Sequence, residues 1–176
     1  PSPEMEINKL VKPSWKPEQE LQGKCRVNVS LYGFNVFGDL FTPRQLLALN
    51  TFSELIEEIR EHVYENSIKS GLDENRIKLA DGGRGALAYA EAVSIYLTFV
   101  VDKVSDYWSS LCSWNSPGQK MRNTFGRQAI PMVWDYAEAN PFSKSSGNWM
   151  AMVNWVWKVV AKLPTSNLVN VEKENA

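Results

Sequence analysis

Phe37-Gly-Asp-Leu-Phe-Thr-Pro-Arg-Gln-Leu-Leu47 spells out a helix start residue by residue, and the reading of the whole fold depends on it. Thr42 suits the N-cap, because its hydroxyl can accept from the backbone N–H of Gln45. Gln45, three residues on, can reach back to the N–H of Thr42 and complete a capping box. Pro43 falls at the first helical position, where a missing N–H costs nothing. Phe41 and Leu46 occupy the two positions of a hydrophobic staple. Downstream, Leu46, Leu49, Phe52, Leu55, Ile56, Ile59 and Val63 make an apolar stripe at helical spacing, which predicts a helix from Pro43 to near Asn66. Its outer face is acidic, and Glu57, Glu61 and Glu65 repel at i,i+4, so packing rather than propensity has to stabilise it. Upstream, Cys25, Val27, Val29 and Leu31 alternate with polar residues, the period-two pattern of a strand near 24–32.

Composition narrows the class. The chain has 176 residues, 44% of them hydrophobic, with seven Trp, seven Phe and six Tyr, enough for one good-sized core. A formal net charge of −1 argues against a chain that coats nucleic acid throughout but leaves room for a local basic face. Two cysteines, Cys25 and Cys112, are too few for a disulfide framework or a four-ligand zinc site. They read as reduced thiols of a cytoplasmic protein, with a single bridge between them as the alternative. No stretch has the length and apolarity of a membrane span, so no membrane partner is expected. The start Pro-Ser-Pro without Met suggests a segment of something longer.

The remaining pattern is mostly helical. Prolines at 1, 3, 13 and 17 predict an irregular N-terminal region. A break at 67–85 precedes a second helix from about Ala86 to Trp108, apolar around much of its circumference and therefore expected to be central. After the Pro117-Gly118 turn, Gln119 to Ala137 reads as helix, interrupted near Pro131. A fourth helix is expected from Ser145 or Ser146 to Leu163, stopped by Pro164, followed by a short strand at 168–172. The expected fold is mainly α: a bundle of about four long helices with an N-terminal irregular arm and one or two short strands. Residues 1–36 would form the arm, 37–164 the helical domain, and 165–176 a strand and frayed tail.

Chemistry-bearing residues are sparse. His62 is the one histidine and sits on the solvated helix face as an ordinary polar residue. Gly82-Gly83-Arg84-Gly85 could bring backbone N–H groups to a phosphate, but it lacks the ending of a P-loop and reads as an interhelical loop. Asp102 and Asp106 lie four apart on one helix face, a spacing open to acid–base work or to a plain solvated helix end. The basic stretch says more. From Asn115 to Leu163 there are six basic residues against Asp135 and Glu138, and none acidic from Asn115 to Trp134. Lys120, Arg122 and Arg127, with Asn123, are candidate DNA contacts, since phosphate binding needs such a local excess. Gln128 and Asn148 could add hydrogen bonds. Trp114, Phe125 and Trp149 offer either stacking surfaces or core packing.

Phe37–Leu49, together with Arg122-Asn-Thr-Phe-Gly-Arg-Gln-Ala-Ile-Pro-Met-Val-Trp-Asp-Tyr-Ala-Glu-Ala-Asn-Pro-Phe-Ser143 and Ser145-Ser-Gly-Asn-Trp149, resembles the large adenine-specific DNA methylases that contain a zinc ribbon. With Ala90-Glu-Ala and Ser109–Trp114, the resemblance covers most of residues 33 to 163. It implies a parent enzyme that transfers a methyl group from S-adenosylmethionine to adenine in DNA. In that family this region lies between a glycine-rich cofactor motif and an Asp-Pro-Pro-Tyr catalytic motif, and the chain contains neither, nor the zinc-ribbon cysteines. The expectation is an internal segment that works with the remaining catalytic domain, with no catalytic residue and no metal ligand of its own. Asn140-Pro141-Phe142 resembles the Asn/Asp-Pro-Pro-aromatic motif but lacks the second proline, and reads as a turn. Phe41-Thr42-Pro43 resembles the aromatic-Thr-Pro element that borders the methionine end of S-adenosylmethionine in related enzymes. That resemblance makes these three residues candidate cofactor contacts, beside their role as a helix cap. The competing expectation is a non-catalytic interaction domain that docks through its aromatic-rich fourth helix.

Overall fold

Two long helices set the frame. The computed structural model describes Glu6 and residues 10–163, with α1 at Pro43–Lys69 and α2 at Ala86–Ser105. The helices run antiparallel: Tyr64 near the end of α1 shares a cluster with Ala86 and Ala90, while Leu49 near its start shares one with Val100 and Val104. Ala86, Ala88 and Ala90 are all buried, and their small side chains let the two axes approach. A third helix, α3 at Trp149–Val160, lies against α2 and places Met152, Val153 and Val156 in the main core.

The start of α1 is built as its sequence spells it. Thr42 accepts from Gln45 N–H, Thr42 N–H donates to Gln45 Oε1 at 2.9 Å, and Pro43 is the first helical residue. Just upstream, Phe37–Leu40 forms a 3₁₀ turn, with Asp39 Oδ2 accepting from Asn35 N at 2.9 Å and Val36 N at 3.0 Å. Burial opposes ionisation of Asp39, but these two N–H groups and Lys16 outweigh it and hold the carboxyl below its ordinary 3.8. A lowered carboxyl stabilises the fold above its unfolded value and loses that contribution as pH falls through the folded one. Asp39→Ala is therefore expected to cost about 1 kcal/mol near neutral pH. In urea denaturation at successively lower pH, the gap between variant and native chain should close below 3.8; a gap that persists there would assign the effect to packing.

Three expectations fail, each for a tertiary reason. Among the described residues there are three helices rather than about four long ones. The segment read as helix at Gln119–Ala137 instead begins with an antiparallel hairpin, β1 at Ser113–Asn115 against β2 at Lys120–Arg122, with Trp114 opposite Met121. Beyond it the backbone donors go to distant acceptors, Thr124 N to Asp106 O at 2.9 Å and Ala137 N to Cys112 O at 2.9 Å. Gly126 and Pro131 remove whatever helical preference could have competed. The strand expected near 24–32 is a pair of 3₁₀ turns, Gly23–Arg26 and Ser30–Tyr32. Among the described residues no strand pairs with it; its N–H groups close locally, as in Val29 N to Arg26 O at 3.1 Å, and Leu31 stays 82% exposed. Leu21 and Val29 of this region are fully buried with Leu40, Leu111 and Ile130 in a second core.

The helical limits shift modestly. α3 opens at Trp149, three or four residues later than expected, because Asn148 is the cap and Gly147 before it has φ +85°. α2 is less enclosed than its composition implies, with Phe99 and Ile95 about half exposed, since three helices cannot cover it on all sides. The strand expected at 168–172 and the tail lie outside the described residues.

Candidate nucleic-acid interface

The two stretches that carry the family resemblance close on each other at one end of the helical hairpin. Arg44 Nε donates to Glu138 Oε1 at 2.9 Å and its Nη2 to Oε2, a two-pronged fork on one carboxylate. Gln45 Nε2 donates to the same Oε1 at 3.2 Å while its own oxygen caps α1. Leu40 C=O accepts from both the N–H and the hydroxyl of Ser110, each at 2.8 Å. Phe52 stacks on Trp149 at 4.3 Å and tilts against Trp108 at 5.3 Å, and Trp108 Nε1 donates to Gly147 O at 2.7 Å.

The basic loop grows out of this frame. In β2, Met121 points inward, so Lys120 and Arg122 flank it on the exposed face. Arg127 follows on an exposed turn, and none of the three forms an ion pair among the described residues. Asp106 is the anchor of this loop. Its carboxylate accepts from Asn123 Nδ2 and from Phe125 N–H, both at 2.8 Å, and its carbonyl from Thr124. Asn123 therefore has its amide committed to Asp106, in the loop between Arg122 and Arg127. Beneath the loop, Thr124, Ser109 and Cys112 form a buried polar cluster, with Ser109 and Thr124 hydroxyls 2.6 Å apart. Burial first, and then the Asp106 charge, pushes the Tyr107 phenol above its ordinary value and keeps it protonated.

Of the aromatic candidates, Trp149 belongs to the core, whereas Trp114 and Phe125 are about half exposed. Sequence reading passed over Asp106 as a loop anchor and Glu138 as the partner of Arg44. A separation of 94 residues between Arg44 and Glu138 leaves no periodic signal that could have paired them.

Phe41 lines an open apolar cavity of about 900 Å³ with Trp15, Phe37, Leu49, Val101 and Phe125, and also a smaller one of about 350 Å³ that it shares with Pro43; Thr42 lines neither. The hydroxyl and N–H of Thr42 are both used in the cap. Of the charged side chains, only Glu54 and Asp102 line the larger cavity. Phe41 and Pro43 contribute apolar walls and Thr42 spends its hydroxyl and N–H in the cap, so the three offer no donor to a zwitterionic methionine end.

The other candidates resolve into local structure. Gly83 N–H is bonded to Lys78 O at 2.9 Å and is not free to meet a phosphate. Asn140 Oδ1 accepts from Phe142 N–H at 2.9 Å, an Asx turn. His62 is exposed. Among the described residues no group of three or more His, Cys, Asp or Glu could hold a metal ion, and no helix is long and apolar enough to cross a membrane. No protein-family model, curated protein or solved structure matches the chain.

Proposed function

We propose that this chain is a helical accessory segment of a cytoplasmic, S-adenosylmethionine-dependent, adenine-specific DNA methyltransferase. It contacts DNA through Lys120, Arg122 and Arg127, with Asn123 holding the loop that presents them. Phe41, supported by Thr42 and Pro43, borders the cofactor, which the remaining catalytic domain holds through its own motifs. Methyl transfer to adenine requires the base to leave the stack, so a DNA-gripping element beside the catalytic domain serves the chemistry directly. The observation that carries this reading is the Arg44–Glu138 clamp. It joins the two stretches on which the resemblance rests, while Phe125 of the basic loop, held by Asp106, lines the same cavity as Phe41.

The test is titration with a DNA duplex at two salt concentrations. Binding that weakens steeply with salt is expected, and Arg122→Ala/Arg127→Ala should flatten the log–log salt slope by about 2, roughly 0.9 per phosphate contact. Supplied with cofactor and DNA but no other protein, the chain should transfer no methyl group. Absence of duplex binding at low salt would remove the DNA role, and robust methylation would remove the accessory role.

A second reading rests on α3, whose Trp155 and Trp157 are 64% and 63% exposed on opposite flanks of the helix. They suit docking on another protein surface, either the catalytic domain or an unrelated partner. Salt-insensitive self-association in sedimentation, without DNA binding, would favour an interaction domain.

A further inference from the structure

Trp134 is 75% exposed, yet it is not loose. Ile130, Met132 and Val133 just before it are seated in or against the second core, which fixes the backbone that presents the indole. Its ring meets Tyr32 edge to face, with centroids 4.9 Å apart and planes at 83°. In that geometry at most one indole face is taken, so the other is open to solvent. Segments 24–32 and 128–134 lie side by side, tied by Lys24 Nζ to Gln128 Oε1 at 3.2 Å, Asn28 Nδ2 to Ile130 O at 3.3 Å, and the Tyr32–Trp134 pair. The end of this ridge away from Trp134 is cationic, with Lys24, Arg26 and the adjoining Arg127 exposed. Residues 21–38 contain no acidic side chain, and Asp135 is the one acidic residue in 115–137.

We propose that Trp134, held by Tyr32 at one end of a ridge whose other end carries Lys24, Arg26 and Arg127, is a stacking platform for an unpaired base of DNA. This rests on the DNA-binding reading above and adds which nucleotide state the surface takes. A preset aromatic face on one ridge with backbone-neutralising cations is the combination that single-stranded nucleic acid requires, and it tolerates any base because every base has a π-face. An enzyme that extrudes a base leaves unpaired nucleotides that need such a surface.

Two duplexes of one sequence test it, one fully paired and one carrying a single unpaired 2-aminopurine. The chain should bind the second about ten-fold more tightly and quench its fluorescence on stacking. Trp134→Ala should abolish both the preference and the quench, Trp134→Phe should restore much of each, and binding to the paired duplex should change little. Because Trp134 is so exposed, neither substitution should disturb folding, which circular dichroism would check. If both duplexes bind with equal affinity, or Trp134→Ala keeps the preference, the platform is wrong while DNA binding stands. If neither duplex binds at low salt, the DNA-binding reading fails and the platform goes with it.

Discussion

Trp108→Ala is expected to come close to unfolding the protein. The indole is 2% exposed, packs on Phe52 at 5.3 Å, and is the donor for Gly147 O at 2.7 Å. Truncating a buried Trp costs about 3–5 kcal/mol in lost transfer and cavity formation. The orphaned carbonyl of Gly147 adds on the order of 1 kcal/mol or more. The sum approaches the lower end of total domain stability, roughly 5 kcal/mol. Trp108→Phe separates the two contributions, since it keeps most of the ring and loses only the donor; about 1–2 kcal/mol is expected. Urea denaturation of both variants is the measurement. A loss for Trp108→Ala of under about 2 kcal/mol would mean that α3 and the 139–148 loop do not depend on this residue.

Gly147→Ala should be the next most damaging change. Gly147 has φ +85°, and an added Cβ would lie 2.9 Å from Ala139 Cβ and 3.4 Å from Met121 Sδ. The backbone conformation costs a non-glycine residue about 1 kcal/mol. Crowding the buried Ala139 adds about 1–3 kcal/mol more. Gly71→Ala supplies the control, because Gly71 has φ +93° but nothing within 4 Å of the place its methyl group would take. The difference between the two in thermal or urea unfolding isolates the collision. Equal losses would show that the 139–147 loop yields freely and does not clamp the start of α3.

Both substitutions act at the loop that leads into α3, a part of the chain where sequence reading fared less well than at the start of α1. The start of α1 was legible because every partner lies within four residues: Thr42 caps Gln45, Gln45 caps Thr42, and Pro43 needs no donor. The break between the two helices was legible for a similar reason, as glycines and polar residues interrupt the apolar stripe, although the first helix runs on from the expected Asn66 to Lys69. The candidate DNA residues were found from the absence of acidic neighbours, which is also a local property. Trp134 was not singled out, since nothing in a linear run of apolar residues says which aromatic is left outside.

The two helices α1 and α2, the cap of α1 and the location of the unbalanced positive charge were therefore readable without a fold. These follow from periodicity, capping and composition, all written within a few residues of where they act. Only the tertiary structure decided that 24–32 turns instead of extending, and that 119–137 abandons a helix for a hairpin and a loop hung on Asp106. It also decided that Arg44 grips Glu138. In each case the partner that satisfies the backbone or the charge is remote in sequence, so no local pattern records it.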